Sequence, residues 1–208
     1  MTVTNSPVTS IAEKNLRVAA AISKQNGDTK SEANALNTIG LILKRYNNID
    51  SAITYLEMAR LAFKSVPDIT GEARTVNNIG QIYLAQNDFQ KAKEYFNKAV
   101  ALHEASGSKS GLSRAYVNLV TYYDAIVDLG NAQKYGEKAY DIARENDLYV
   151  DEAYALGALG KLFYEHKLYD KSIKYYERAV KIAREKQLND TYFMQKRRIS
   201  LLHLRKQG

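Results

Sequence analysis

This chain of 208 residues repeats itself with a period of about 40 residues, and no insertion breaks the register. Glycine recurs at Gly40, Gly80 and Gly160, with Val120 in the third place. Alanine recurs in two further series, Ala59, Ala99, Ala139 and Ala179 with Ala19 one period earlier, and Ala52, Ala92 and Ala132, closed by Ser172. Periods of about 20–50 residues are typical of arrays in which each copy is one small unit that buries its apolar face against its neighbours. The period therefore predicts a stack of repeated units.

Within each copy, the apolar residues are spaced as on one face of a helix. The first segment of the first copy has Ala33, Leu36, Ile39, Gly40 and Leu43 at this spacing, and the second has Ala52, Leu56 and Ala59. The i, i+3, i+4, i+7 spacing predicts an amphipathic helix. Turn-forming residues at 46–48 and 86–88 separate the two segments. Each copy is thus predicted to be a pair of antiparallel helices, in which small residues allow close approach.

These residues resemble the tetratricopeptide repeat. Its pattern is met by Val76, Ile79, Gly80, Tyr83, Ala92, Phe96 and Ala99. The usual repeat has about 34 residues, and the additional residues here follow the last signature alanine, as in the repeats of kinesin light chain, Pins-type scaffolds and Rap-type peptide receptors. The resemblance covers nearly the whole chain. It implies an all-α fold, a right-handed α-solenoid of antiparallel helix pairs with about ten helices.

We expect one solenoid over residues 1–208, flanked by half-pairs at both ends. Its parts are an N-terminal half-repeat at 9–26, repeats at 30–69, 70–109, 110–149 and 150–189, and a C-terminal capping helix at 190–206. The third repeat departs from the pattern, because Val120 replaces the glycine and Gly136 replaces the bulky residue of the other copies. A volume-conserving exchange between neighbouring helices would explain both changes.

Polar residues on the first helices are the candidate binding site, because first helices line the concave surface in tetratricopeptide arrays. The candidates are Asn34, Asn37, Arg74, Asn77, Asn78, Gln81, Arg114, Asn118, Thr121, Tyr154 and Lys161. The resemblance implies ligand contact for Arg74, Asn78, Arg114 and Asn118, which form the same Arg-x-x-x-Asn pair in adjacent repeats.

The chemistry of these residues favours a protein ligand. An asparagine amide can pair with the backbone of an extended peptide, and an arginine fork suits a carboxylate. We therefore predict a scaffold or adaptor that binds an extended peptide or a partner protein with acidic residues on the concave face. In the alternative interpretation, the polar row is a solvated face in which asparagines bond between neighbouring helices.

The basic C-terminal end supports two other hypotheses. The segment from Lys161 onward contains 13 Lys and Arg against 5 Asp and Glu, although the whole chain has a net charge of +7. The cluster Lys196, Arg197, Arg198, Arg205 and Lys206 predicts contact with nucleic acid or an acidic surface through counterion release. It also serves as the polar outer face of a capping helix. Leu201, Leu202 and Leu204 suggest self-assembly into a homo-oligomer through the end helices.

The sequence does not predict an enzyme, a metal site or a cofactor. His103, His166 and His203 occupy different repeat positions, without the spacing of a metal site or a catalytic triad. No glycine-rich phosphate loop occurs. The absence of cysteine suits a reducing compartment, and no signal peptide or membrane-length apolar run is recognised. A cytoplasmic location without membrane contact is therefore expected.

Overall fold

The computed structural model describes residues 7–191, 194–196, 198 and 199, with side chains from Lys14 onward. These residues form α1 (Pro7–Gln25), α2 (Thr29–Arg45), α3 (Ile49–Ser65), α4 (Ile69–Ala85), α5 (Phe89–Ala105), α6 (Lys109–Ala125), α7 (Leu129–Glu145), α8 (Tyr149–Glu165) and α9 (Tyr169–Glu185). Residues 189–191, 194–196, 198 and 199 are also helical and belong to a tenth helix, α10. No strand occurs within the described ranges. The predicted all-α fold with about ten helices is confirmed.

The helices from α2 to α9 are equal in length and evenly spaced along the chain. Each of them has 17 residues. Capping side chains set several of the helix starts. Asp68, Asp88 and Asp128 accept hydrogen bonds from the backbone N–H groups three positions later, at 2.8, 3.1 and 3.0 Å. Such a cap satisfies one of the free N–H groups at a helix start. The hydrogen bond that Asp88 accepts from the backbone N–H of Lys91 is the main reason why the pKa of Asp88 is lowered.

From α2 onward, a residue with positive φ lies two positions before each helix start, and eight of these have φ between 55° and 72°. They are Gly27, Asn47, Asn87, Gly107, Val127, Asp147, Lys167 and Gln187. This left-handed conformation ends many helices, and glycine and asparagine adopt it most easily. Val127 is unusual, because a β-branched residue there is strained, and its side chain is 76% exposed.

Replacing Val127 with glycine should raise the free energy of unfolding by about 1 kcal/mol, because the left-handed conformation costs an L-residue about 1–2 kcal/mol and the greater backbone entropy of unfolded glycine offsets part of the gain. Urea denaturation of Val127→Gly and of the control Asn87→Gly measures the effect. Asparagine tolerates this conformation, so the control should change little. A destabilised Val127→Gly variant would show that the valine side chain makes contacts that outweigh the strain.

The chain divides into two compact units, residues 1–107 and 108–208. In unit 1, α2 packs against α3, α4 against α5, and the first helices α2 and α4 contact each other. In unit 2, α6 packs against α7, α8 against α9, and the first helices α6 and α8 contact each other. The antiparallel pairs predicted from the period are therefore present in both units.

The repeated glycines mark the closest approach within each pair. A Cβ atom on Gly40 would lie 2.6 Å from Leu56, one on Gly80 would lie 2.8 Å from the ring of Phe96, and one on Gly160 would lie 2.6 Å from the ring of Tyr176. Real Cβ contacts are not this short. The glycine of the first helix thus makes room for the bulky residue of the second.

In the third repeat, the space beside the glycine is filled by a residue from a different helix. At Gly136 the space is filled by Leu159 of α8, whose Cδ2 would collide with an added Cβ. Val120 is buried and shares a core cluster with Leu159 and Phe163. The space at Gly136 is thus taken by a residue of α8, and the exchange of volume between Val120 and Gly136 stays a prediction.

Candidate functional site

The predicted site residues form one polar row in each unit. The unit 1 row consists of Asn34 and Asn37 on α2, with Arg74, Asn77, Asn78 and Gln81 on α4. The unit 2 row consists of Arg114, Asn118 and Thr121 on α6, with Tyr154 and Lys161 on α8. Because α2 contacts α4 and α6 contacts α8, each row draws its side chains from two neighbouring first helices.

In the unit 1 row, Arg74 bonds to the neighbouring first helix. Its Nη2 donates to Oδ1 of Asn34 at 2.8 Å, and Nδ2 of Asn34 donates to the backbone carbonyl of Lys30 at 3.0 Å. The Arg74 guanidinium also lies 5.7 Å from the centroid of the Phe63 ring. Both Arg74 and Asn34 remain exposed. Asn34 is neutral, so its bond orients the guanidinium without cancelling the charge of Arg74.

Asn37 acts as a brace between α2 and α4. It is 6% exposed, and its Oδ1 accepts from Thr75 Oγ1 at 3.2 Å and from Asn78 Nδ2 at 3.1 Å. Gln81 is joined to α2 in a similar way, because Lys44 Nζ donates to its Oε1 at 3.0 Å. Such bonds between neighbouring helices are what we expect if the polar row is a solvated face and not a binding site. Ligand contact by Asn78 and Gln81 stays a prediction.

Asn77 differs from the other asparagines of the unit 1 row. Its Oδ1 is buried and has no hydrogen-bond partner among the described residues, although the whole side chain is only half-buried. Its repeat equivalent, Asn37, has two donors in contact with the same atom.

In the unit 2 row, a buried carboxylate holds Arg114. Arg114 Nε donates to Asp151 Oδ1 at 2.6 Å, and Ser110 Oγ donates to the other carboxylate oxygen. The side chain of Asp151 is 6% exposed, whereas that of Arg114 is 59% exposed. Asp151 therefore fixes the guanidinium while most of it faces solvent.

Asp151 was not among the predicted site residues. It stands at the start of α8, where the other copies have Ser31, Gly71 and Gly111. The sequence signal that could have identified Asp151 is a carboxylate at a position where the other copies have small residues.

Exposed side chains continue the unit 2 row along α6 and α8. Tyr154 is 52% exposed, and Thr121 and Lys161 are exposed as well. Thr121 donates to the backbone carbonyl of Val117 at 3.4 Å. Asn118 is half-buried. The row thus presents one aromatic ring and two cations, Arg114 and Lys161, on one pair of helices.

The basic end is described only in part. Lys196 is exposed, and Arg198 is half-buried with its guanidinium 5.6 Å from the Tyr176 ring centroid. Arg197, Arg205 and Lys206 lie outside the described residues, as do Leu201, Leu202 and Leu204. Nucleic-acid binding and self-assembly through this end stay predictions.

The histidines occupy separate structural positions. His166 Nε2 lies 2.9 Å from Asp124 Oδ1 and joins the ends of α8 and α6. His103 is buried in α5, and its Nδ1 has no partner among the described residues. His203 lies outside the described residues. In the described part of the chain, no three His, Cys, Asp or Glu side chains are grouped as metal ligands.

Burial lowers the pKa of His103 below its usual value of 6.5. In the unfolded chain the same imidazole takes up its proton at the higher pH, so the folded state should lose stability as the pH falls below about 6.5. The variant His103→Phe, which copies Phe63 from the first repeat, should lose less stability than the wild type between pH 7.5 and 5.5. Urea midpoints at both pH values measure this; equal losses would exclude His103 as the cause.

A family model described as tetratricopeptide repeat matches residues 31–105, 71–145 and 112–185. Together these windows run from the first complete repeat into the fourth. No curated protein gave a significant match. Within the described residues, no helix is both long and apolar enough to cross a membrane.

Solved structures with similar folds include the predicted relatives. BtubC (BKLC) from P. vanneervenii is 12% identical, with a TM-score of 0.70 over 96% of this chain and 91% of that one. A putative kinesin light chain with nearly identical repeats from Podosopora anserina is 14% identical, with a TM-score of 0.63 over 86% of this chain and 88% of that one. A Rap protein complexed with Competence and Sporulation Factor is 14% identical, with a TM-score of 0.65 over 99% of this chain and 62% of that one. At these identities the likeness concerns the fold, and at that level the predicted resemblance to kinesin light chain and Rap repeats is confirmed.

Proposed function

The chain belongs to the tetratricopeptide repeat family, and we propose that it is a protein-interaction scaffold or adaptor. Its first helices would bind an extended peptide or a partner protein that carries acidic residues. The observation that carries the proposal is Arg114, an exposed guanidinium held in place by the buried carboxylate of Asp151.

The geometry around Arg114 favours binding because it is arranged before a partner arrives. Only Nε contacts Asp151, and an arginine has four further N–H donors. A side chain that is already ordered loses less entropy on association. Tyr154 on the neighbouring helix adds an exposed aromatic ring, and tyrosine and arginine are enriched among residues that dominate interface energies.

The preference for acidic residues rests on Arg74 and Lys161. Asp151 offsets the charge of Arg114, so that residue contributes mainly directed hydrogen bonds. Arg74 bonds to the neutral Asn34 and interacts with Asp68, which is also paired with Lys30 at 2.8 Å, so its charge is only partly offset. Lys161 is exposed on α8. A carboxylate that meets an arginine forms a charge-assisted bond, which is stronger than a neutral one.

A structural neighbour supports a role in partner binding. The Rap protein with the similar fold was solved as a complex with Competence and Sporulation Factor. We extend only the general idea to this chain, namely that a stack of such repeats holds a second molecule. A cytoplasmic location and assembly through the end helices stay predictions of the sequence.

The test is the affinity for a partner captured from extract of the native cells, identified by mass spectrometry and then purified. We expect Arg74→Ala with Arg114→Ala to weaken binding at least tenfold, because charge-assisted bonds contribute about 1.5–3 kcal/mol each. Asn78→Ala with Asn118→Ala should also weaken it. The control Lys93→Ala with Lys134→Ala removes the same charge from second helices and should stay within about twofold. Unchanged affinity in both first-helix variants would refute the proposal.

A further inference from the structure

A cleft of about 290 Å³ lies in unit 2, away from the polar rows of the first helices. The second helices α7 and α9 both pack against α8, and the cleft opens between them. Its lining residues are Gln133, Phe163, Lys171, Lys174, Tyr175 and Arg178. Three of these six residues are cations and two are aromatic.

The aromatic residues form the floor of the cleft. The rings of Phe163 and Tyr175 are stacked, with centroids 5.4 Å apart and planes 8° apart. Lys171 Nζ lies 5.2 Å from the Phe163 centroid, and Arg178 Cζ lies 5.7 Å from the Tyr175 centroid. Cation–π contacts of this kind hold the cationic groups near the rings. Lys171 thus lies over the aromatic floor, whereas Arg178 lies between Tyr175 and the ring of Tyr140, whose centroid is nearer at 4.6 Å.

The positive charge of the cleft is only partly compensated. Asp170 directly precedes Lys171 and lies about one helical turn before Lys174 on α9. Glu137 on α7 accepts from Gln133 Nε2 at 2.8 Å and interacts with Tyr175. Arg178 also interacts electrostatically with Glu152, and Arg144 and Lys186 interact with the same carboxylate. Lys171 and Lys174 are exposed on α9 and contribute two of the three cationic groups that line the cleft.

The second repeat differs from the fourth in the charge at the positions that line the cleft. The equivalents of Lys171 and Lys174 are Lys91 and Glu94, two repeats earlier. Lys91 is paired with Asp88 at 3.1 Å, and the fourth repeat has Leu168 in place of that aspartate. The fourth repeat thus lacks these two carboxylates, but it has Asp170 and Glu177 where the second repeat has Gln90 and Asn97.

We infer that the cleft binds a phosphate monoester on a partner peptide. A phosphorylated side chain brings nearly two negative charges and three acceptor oxygens into one place, which suits three cations around a cleft with room for a single side chain. A carboxylate brings half that charge. Arginine pairs with phosphate through its planar fork. The inference concerns the second helices and does not depend on the proposed binding by the first.

The experiment measures fluorescence anisotropy of a labelled degenerate peptide library with a central phosphoserine. The comparison libraries carry serine or glutamate at the same position. We expect the phosphoserine library to bind at least tenfold more tightly than either. Lys171→Ala with Lys174→Ala should abolish the difference, whereas the control Lys91→Ala with Lys98→Ala removes the same charge from the second helix of the second repeat and should preserve it.

Several results would overturn the inference. One is the absence of phosphoserine-dependent binding, and another is equal binding of the glutamate library, which would indicate a general acidic ligand. Equal losses in the Lys171/Lys174 and Lys91/Lys98 variants would indicate non-specific electrostatics. Displacement by inorganic phosphate at the same concentration as a phosphoserine peptide would indicate a phosphate-ion site without a peptide partner. Since Arg74→Ala with Arg114→Ala should leave this binding unchanged, the two proposals can fail separately.

Discussion

Replacing Phe63 with alanine is expected to lower the free energy of unfolding of unit 1 by about 3–5 kcal/mol. Phe63 is fully buried in α3 and packs in a core cluster with Ala33, Leu36 and Ala59. Its ring occupies the space beside Gly71 of α4, where an added Cβ would collide with it. Truncation removes the ring and leaves a cavity between the first and second repeats. Urea denaturation followed by circular dichroism measures the loss.

Leu61 supplies the control for Phe63. It lies two positions earlier in α3, and its side chain is 56% exposed. Leu61→Ala should change the free energy of unfolding by less than about 0.5 kcal/mol, as is usual for surface positions. If Phe63→Ala cost no more than Leu61→Ala, the packing of α3 against α4 described here would be wrong.

The second large effect is expected at Arg60, which joins three helices of unit 1. Its Nε donates to Glu57 at 2.7 Å, its Nη1 donates to Glu72 at 3.5 Å, and Tyr95 of α5 donates to Glu57 at 3.0 Å. The side chains of Arg60 and Glu72 are 17% and 10% exposed. Arg60→Met would leave two poorly solvated carboxylates without their cation. We expect a loss of about 3 kcal/mol.

A triple variant separates charge from packing at this site. Glu57→Gln and Glu72→Met, added to Arg60→Met, remove the uncompensated charges and keep an acceptor for Tyr95. Burial and Glu57 raise the pKa of Tyr95 to about 12, so its hydroxyl remains a donor. Because a buried ion pair is often replaced by apolar groups at little cost, the triple variant should recover most of the loss. No recovery would mean that Arg60 acts mainly through packing of its aliphatic part.

The period of the sequence predicted the helix pairs and their packing residues because both depend on repeat position. Glycine at Gly40, Gly80 and Gly160 faces a bulky residue in every case. Aspartates such as Asp88 and Asp128 cap helices at the same place in different copies. Equal spacing along the chain gives equal position in the stack, so one copy is a guide to the next.

The period did not predict which polar side chains meet across neighbouring helices. Asp151 holds Arg114, but the other copies have no acid at that position. The site of Arg60 in the first repeat is occupied by Tyr140 in the third, where Arg178 lies 4.6 Å from the ring centroid. Such contacts depend on rotamers and on the distance between helices, which differ from copy to copy. They appear in the sequence only as exceptions to the repeat.

Hydrogen exchange of the purified protein, alone and saturated with its captured partner, shows directly whether the first helices bind that partner. If the first helices bind the partner, backbone amides of α4, α6 and α8 should gain protection around Arg74, Arg114 and Tyr154. The exposed faces of α3 and α5 should exchange as in the free protein. Protection confined to the second helices, with α4, α6 and α8 unchanged, would show that the partner does not bind the first helices.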